Sequence, residues 1–277
     1  MKTKFQLTAS GLKIIAMVTM LIDHLTALLY PGIYEALTGA ALTDPYSSPL
    51  YAIGRALGRT AYPLFAFMIS EGARYSHDRK KYALRLLAIA VISIPFYNLA
   101  VFGAFWKFDE LNTIFGLFVG LIAILWIDQI DADAEKAGQE RSSGRILYKV
   151  AVLLLLSVLC TVCKVEYYST SVLMIPAFYY AKDKKQQLAL GALAFIFGSF
   201  QFLFCYHLFF AGAGETAAQS ALAACRTMRI QLWGLLALLP IWFYNGSKGM
   251  KLPRYLFYAF YPAHLLVLGL IALAMQA

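Results

Sequence analysis

Apolar segments long enough to cross a lipid bilayer recur along the whole sequence. They lie at roughly 11–30, 59–73, 82–104, 111–128, 146–163, 169–181, 187–210, 228–244 and 255–275. A transmembrane helix needs about 20 apolar residues, and the backbone amides of a lipid-embedded segment must find their partners within the protein. The sequence therefore predicts an all-α, polytopic integral membrane helical bundle with about nine (nine to ten) transmembrane helices.

The composition leaves no room for a separate soluble domain. Hydrophobic residues make up 61% of the chain and charged residues 14%, whereas about a quarter of the residues of a soluble domain are charged. We therefore expect a single transmembrane domain over 1–277. The net charge of +9 does not indicate a nucleic-acid partner, because the basic residues stand in short loops beside apolar segments, where they orient a protein in the lipid bilayer.

The basic residues predict an orientation. With the N-terminus in the cytoplasm, each inner loop is rich in Lys and Arg, and the outer side is left with Arg55, Arg59, Lys107, Lys164, Arg226 and Arg229. This bias predicts nine spans, a cytoplasmic N-terminus and an external C-terminus. The first segment is expected to be a retained helix, since no A-x-A-like cleavage site follows it. A re-entrant element or a tenth span within 31–57 is the alternative.

The first apolar segment carries three ionisable residues, which are costly inside a membrane and so are functional candidates. Lys13 and His24 are eleven residues apart, which places them on one helix face and about 16 Å apart along the axis. A cation at the cytoplasmic edge and a general base deeper in the bilayer would suit a ligand that extends along this face. Alternatively, Lys13 reaches the lipid headgroups and His24 satisfies a neighbouring polar group.

Asp23 cannot orient His24 simply by being next to it, because adjacent residues of a helix point about 100° apart. A buried carboxylate needs a partner, and the topology places Arg55 and Arg59 on the same outer half. We therefore expect Asp23 to pair with one of these arginines.

Three further candidates lie in other segments. Glu71 and Arg74 could form a structural pair at i, i+3. His264 follows Pro262 inside the last apolar segment, where it could belong either to the core or to the site. Glu166 falls toward the outer side, together with His207, Arg226 and Arg229, and is a candidate contact for an acceptor.

Cys160 and Cys163 form a C-x-x-C pattern inside an apolar run. A thioredoxin-like motif would follow a strand, so we interpret these cysteines as packing residues. No metal site is predicted.

Several motifs resemble those of the TraX family, which is named for the F-pilin acetylation protein. They are L-K-x-I-A-x₃-M-x₂-D-H at 12–24, G-R-x-A-Y-P-L-F-x-F-x₃-E-G at 58–72, K-Y-x₂-R-L at 81–86, L-N-x-I-F-x-L at 111–117 and F-Y-x-F-Y-P-x-H-L at 257–265. The motifs run in order over nearly the whole chain. The family is similar to a larger group of membrane acyltransferases that includes polysaccharide O-acetyltransferases and the lysosomal heparan N-acetyltransferase.

The resemblance implies a multi-pass protein of the bacterial cytoplasmic membrane that transfers an acetyl group from cytoplasmic acetyl-CoA to an acceptor at the outer face. The larger group has a basic residue, ten intervening residues and a histidine, which Lys13 and His24 match. His24 would be the general base, supported by Asp23. Histidine suits this role because its reference pKa is about 6.5.

The resemblance also implies binding roles for other residues. Lys13, Arg74, Lys80 and Lys81 are candidates for the phosphates of acetyl-CoA, and the candidates for substrate contact or structural support are Arg59, Glu71, Glu166 and His264. The segment E-Y-Y-S-T-S that begins at Glu166 departs from the family pattern. The acceptor is therefore left open among a peptide amine, an amino sugar, a small amine and a hydroxyl group.

A proton-coupled transporter or flippase is the competing function. Asp23 and His24 would then form a proton relay. The sequence has no evident internal repeat, whereas many transporters are built from inverted repeats.

Overall fold

The computed structural model describes residues 6–107, 109–138, 142–210, 228–251 and 253–276. Within these ranges the ordered elements are helices, and the extended backbone is limited to two isolated bridges, Leu7–Tyr244 and Leu111–Val165. The helices are α1 (Ala9–Leu28), α2 (Tyr30–Thr38), α3 (Pro49–Gly58), α4 (Ala61–Tyr75), α5 (Arg79–Ile92), α6 (Ile94–Phe102), α7 (Thr113–Lys136), α8 (Ser143–Val162), α9 (Thr170–Tyr180), α10 (Lys184–Phe210), α11 (Met228–Phe243) and α12 (Arg254–Ala274).

Four helices of the described residues are long and apolar enough to cross a membrane, namely α1, α7, α8 and the segment Tyr255–Ala274 of α12. A fifth span results if α5 and α6 are counted together across their 41° bend. Pro95 in the first turn of α6 explains the bend. Proline has no backbone N–H to donate, and its ring would clash with the helical carbonyl four residues earlier. The chain is thus a helical membrane protein, and its count of nine to ten spans stays a prediction.

Each of the other predicted segments also coincides with a helix. The segments at 59–73, 169–181, 187–210 and 228–244 correspond to α4, α9, α10 and α11. The stretch 31–57 holds α2, with 9 residues, and α3, with 10. Each is about 15 Å long, half the thickness of the hydrocarbon core, so neither of them alone is a tenth span.

The hydrophilic stretch 128–149 is more helical than an ordinary solvated connection. Helix α7 continues to Lys136, and α8 begins at Ser143, where the side chain of Ser142 accepts a hydrogen bond from Arg145 N. Asp131 of α7 and Lys149 of α8 form an ion pair at 2.6 Å. The two helices are therefore joined at this end by a charged pair.

The chain divides into two compact units. The first comprises 1–65, 91–108 and 211–277, and the second comprises 66–90 and 109–210. Two of the four boundaries between these ranges fall within α4 and α5. The single domain expected over 1–277 stays a prediction.

In the first unit, α1 packs against α3 and α12, and α6 packs against α12. Helices α1 and α12 run parallel, because Lys13 contacts Phe257 and His24 contacts His264 farther along both helices. Backbone hydrogen bonds join the beginning of α1 to the end of α11 and to the connection that precedes α12, with Leu7 N donating to Phe243 O at 2.9 Å and Ala9 N donating to Ser247 O at 2.8 Å. The helix with the candidate base thus lies along the last helix of the chain.

In the second unit, α9 packs against both α7 and α10. Gly120 of α7 permits the close approach, since a Cβ there would lie 2.6 Å from the carbonyl oxygen of Ser171. Helix α8 has one buried face, formed by Val152, Leu156 and Cys160, while residues such as Val158 and Val162 are exposed. An exposed apolar face is typical of a helix that contacts lipid.

Candidate functional site

A buried ion-pair cluster joins α1 to α3 in the first unit. Asp23 Oδ2 lies 2.9 Å from Arg55 Nη1 and 3.4 Å from Arg59 Nη2. All three side chains are at most 15% exposed, and Arg59 Nη1 also donates to the side chain of Gln231. The prediction that Asp23 pairs with these arginines is confirmed, and the paired partners offset the cost of burying the carboxylate.

Two glycines allow α3 to approach α1 so closely. Gly54 and Gly58 form a G-x₃-G pattern, which places both on one face of α3. A Cβ at Gly58 would overlap Cβ and Oδ1 of Asp23 and lie 2.5 Å from its Cγ, while a Cβ at Gly54 would overlap Oγ1 of Thr26. The contact between Asp23 and α3 therefore depends on the absence of a side chain at Gly58.

The ring of His24 is joined to the ring of His264 on α12. His24 Nδ1 lies 2.6 Å from His264 Nε2, and the ring planes differ by 14° with centroids 4.9 Å apart. His264 Nδ1 in turn donates to the carbonyl of Phe260 at 2.6 Å. His264 is buried with 8% exposure, whereas His24 is only half-buried. The two histidines thus form one hydrogen-bonded array, a pairing that the sequence did not predict.

Lys13 lies on the same side of α1 as His24, because both contact α12. Its Nζ lies 4.6 Å from the centroid of the Phe257 ring, over the ring face, where a cation is favourable. The shared face expected from the eleven-residue spacing is confirmed. The roles expected for Lys13 in coenzyme binding and for His24 in catalysis stay predictions.

In the second unit, Arg74 is held by several protein groups. It pairs with Glu71 at 3.2 Å, and its Nη2 donates to the carbonyls of Phe178 and Tyr179 at 2.8 and 2.5 Å. These carbonyls belong to the last turn of α9, where helical partners are missing. The i, i+3 pair with Glu71 is confirmed, and the contacts of Arg74 indicate a structural role at the end of α9.

Lys80 and Lys81 border a surface depression of about 540 Å³. It is lined by His77, Asp78, Arg79, Lys80, Lys81 and Leu125, and we call it the basic depression. Lys81 pairs with Asp78 at 3.3 Å. The backbone N–H of Lys81 also donates to Asp78 Oδ1 at 2.9 Å, and this hydrogen bond holds the pKa of Asp78 below its usual range.

Arg79 is fixed at the wall of the basic depression by Asp128 of α7, with which it forms an ion pair. Tyr180 Oη donates to the same carboxylate at 2.6 Å, and Arg79 lies over the ring of Tyr179 at 5.5 Å. Sequence reasoning missed this network, although Asp128 stands at the end of an apolar segment and the two tyrosines are adjacent.

Glu166 lies in a strained connection between α8 and α9. Its side chain accepts a hydrogen bond from Thr113 Oγ1, while Lys164, Tyr167 and Tyr168 have φ angles of 48°, 63° and 45°. The left-handed region is unfavourable for residues other than glycine. The structure places Glu166 in this connection, and its contact with an acceptor stays a prediction.

Cys160 is buried in an apolar cluster and Cys163 is exposed, and both are free thiols, which agrees with a packing role for Cys160. Among the described residues, no group of three His, Cys, Asp or Glu is placed to hold a metal ion. The side chain of His207 and all of Arg226 lie outside the described residues.

Comparison with known proteins extends the resemblance from single motifs to the entire chain. The family model described as "TraX protein" matches residues 8–272. The chain is similar to a protein of Dichelobacter nodosus named "Probable fimbrial assembly protein FimC, serogroup H1", with 29% identity over 272 residues that cover 97% of each chain. No solved structure matches. Since the family model spans α1 with its Lys13–His24 face, both units and nearly all of α12, this chain belongs to the TraX family.

Proposed function

We propose that this chain is an acetyltransferase of the bacterial cytoplasmic membrane that uses acetyl-CoA as its acyl donor and His24 as its general base. The observation that carries this proposal is the state of the His24 ring. One ring nitrogen is engaged by His264 at 2.6 Å, while the side chain as a whole is only half-buried. A fixed and partly exposed imidazole suits a general base that takes a proton from a bound acceptor.

The chemistry is a single acyl transfer. His24 takes a proton from the amine or hydroxyl of the acceptor as its nitrogen or oxygen attacks the thioester carbonyl. The new C–N or C–O bond forms, the C–S bond breaks, and the departing sulfur takes the proton from His24. The products are an acetylated acceptor and free coenzyme A, and His24 returns to its initial state.

The phosphates of the coenzyme need cations, and each unit supplies some. Lys13 is half-buried at the beginning of α1, and Lys80 and Lys81 border the basic depression. We assign contact with the phosphate-bearing end of acetyl-CoA to Lys80 and Lys81 at the basic depression, and keep Lys13 of the first unit as a separate candidate. Arg74 is less suited, since Glu71 and the end of α9 already occupy its guanidinium.

The parallel course of α1 and α12 supports an odd number of spans. Two parallel helices that both cross a membrane cross it in the same direction, so the chain between them makes an odd number of crossings. Together with the bias of the basic residues, this supports nine spans, a cytoplasmic N-terminus and an external C-terminus.

The geometry weighs against a proton relay between Asp23 and His24. The carboxylate of Asp23 contacts Arg55 and Arg59 of α3, whereas the ring of His24 contacts α12. The two neighbouring side chains thus engage different helices. A transporter that passes protons from one to the other would need them to face a common path.

The name of the Dichelobacter nodosus protein concerns fimbrial assembly. A peptide amine, such as the N-terminal amine of an exported fimbrial subunit, is therefore the first acceptor to test. Amino sugars, small amines and hydroxyl compounds complete the set.

The test is release of coenzyme A thiol from acetyl-CoA by the purified protein in detergent, with each acceptor class in turn. We expect release that depends on an acceptor and is abolished by His24→Gln. The same preparation in proteoliposomes tests the alternative. Proton-coupled transport, with no release of thiol from acetyl-CoA in the presence of any acceptor, would overturn the proposal.

A further inference from the structure

The carbonyl of Phe260 determines the direction of both hydrogen bonds that involve the ring of His264. The carbonyl of Phe260 can only accept, so His264 Nδ1 must carry the proton of the 2.6 Å contact. In a neutral imidazole the other nitrogen is then a lone pair, so His264 Nε2 is an acceptor. The proton of the contact between the two rings must therefore come from His24 Nδ1.

We propose that His264 is a positioning residue that holds His24 in the tautomer with its proton on Nδ1, so that Nε2 carries the lone pair and is the basic atom. This inference rests on the proposed function, because it assigns the atom through which His24 acts. Histidine tautomers are commonly set by the hydrogen bond that the other ring nitrogen makes. Here one helix supplies the whole device, since Phe260 and His264 lie one turn apart on α12.

The array keeps its hydrogen bonds when His24 takes up a proton. Addition of a proton at Nε2 leaves Nδ1–H donating to His264, and His264 still donates to Phe260. The imidazolium formed during the reaction thus finds an acceptor already in place, and polar groups placed in advance avoid the cost of reorganisation. The geometry suits this role, because the 14° angle between the ring planes lets the N–H of one ring point at the in-plane lone pair of the other.

Burial of His264 keeps other hydrogen-bonding groups away from the contact between the two histidines. His264 is 8% exposed, and its ring packs against the ring of Phe260 with the centroids 4.9 Å apart. The ring of Tyr261 lies 5.7 Å away at an angle of 71°. With its second nitrogen committed to the carbonyl of Phe260, His264 has no other donor to offer to His24 unless it is protonated.

The direct test is ¹⁵N NMR of the protein labelled at its histidine side chains. The chain has 4 histidines, so single substitutions assign the signals, with His77→Gln and His207→Gln used for assignment alone. We expect His24 with a protonated Nδ1 and a lone pair on Nε2. A proton on Nε2 of neutral His24 would overturn the assignment, whatever the activity.

Kinetics supply a second test with matched variants. His264→Leu removes the acceptor, and we expect it to lower kcat by about 10²-fold with KM changed by less than about threefold. His264→Gln can both accept from His24 and donate to Phe260, and it should retain kcat within about tenfold of wild type. Val267→Ala, at a 54% exposed position on the same helix, should match wild type. Equal losses for the Gln and Leu variants would overturn the positioning role.

The two proposals fail in different ways. If His24 shows the expected tautomer but no acceptor is acetylated, the function is wrong and the array stands. If acetyl transfer depends on His24 but Nε2 carries the proton, the function stands and the role of His264 is wrong.

Discussion

Gly58→Ala should destabilise the protein more than any other single methyl addition on α3. The added Cβ would overlap Cβ and Oδ1 of Asp23 and lie 2.5 Å from its Cγ. These atoms cannot rotate away together, because Cβ is fixed to the backbone of α1. Either α3 moves away from α1 or the Asp23 carboxylate leaves Arg55 and Arg59.

The expected cost follows from the contacts that are lost. Breaking a buried ion pair costs about 3–5 kcal/mol, and overpacking adds about 1–3 kcal/mol. The higher helix propensity of alanine relative to glycine offsets this loss by about 1 kcal/mol at most. We therefore expect Gly58→Ala to lower the free energy of unfolding by about 3–7 kcal/mol.

Gly54→Ala is the matched control, one turn earlier on the same face. Its Cβ would overlap Oγ1 of Thr26 but lie 3.1 Å from Cβ, and rotation of the threonine relieves much of the conflict. The expected loss is about 1–2 kcal/mol. Reversible unfolding in mixed micelles, followed by tryptophan fluorescence, measures both variants. Equal effects of the two substitutions would refute the dependence of the ion pair on Gly58.

Three other outcomes are expected. Arg74→Gln should lower the free energy of unfolding by about 1–3 kcal/mol through lost hydrogen bonds to α9, while KM for acetyl-CoA stays near that of wild type. Lys80→Ala should raise KM for acetyl-CoA several-fold and leave the unfolding midpoint unchanged, since its side chain is exposed. A KM equal to that of wild type would show that the basic depression is not part of the coenzyme site. A reporter fused after Ala277 should be extracytoplasmic and one inserted near Gly138 cytoplasmic, and a cytoplasmic C-terminus would mean an even number of spans.

Local patterns in the sequence were enough to predict where the helices lie and which residues of α1 share a face. The apolar segments predict nearly all of the long helices, because a membrane forces apolar backbone to be helical. The shared face of Lys13 and His24 follows from helical periodicity alone. The Asp23 pair was also predictable, since a buried carboxylate needs a cation and the topology places Arg55 and Arg59 nearby.

The histidine array could not be predicted in this way. His24 and His264 are 240 residues apart, and no local pattern specifies that α12 packs parallel to α1. Similarly, the apolar segment 111–128 does not predict that α7 continues to Lys136, because Asp131, which pairs with Lys149, lies beyond the apolar residues. The G-x₃-G spacing of Gly54 and Gly58 could have predicted the close approach of α3 to another helix, but the site predictions for this segment rested only on its polar residues.

The measurement that tests the central claim most directly is transfer of a radiolabelled acetyl group from acetyl-CoA to an acceptor by purified wild-type protein and by His24→Ala, at saturating coenzyme. The claim that His24 is the general base predicts a fall in kcat of about 10²–10⁴-fold with nearly unchanged coenzyme binding. Lys13→Ala, in contrast, should mainly raise KM for acetyl-CoA. A His24→Ala protein that transfers acetyl groups at the wild-type kcat would contradict the account.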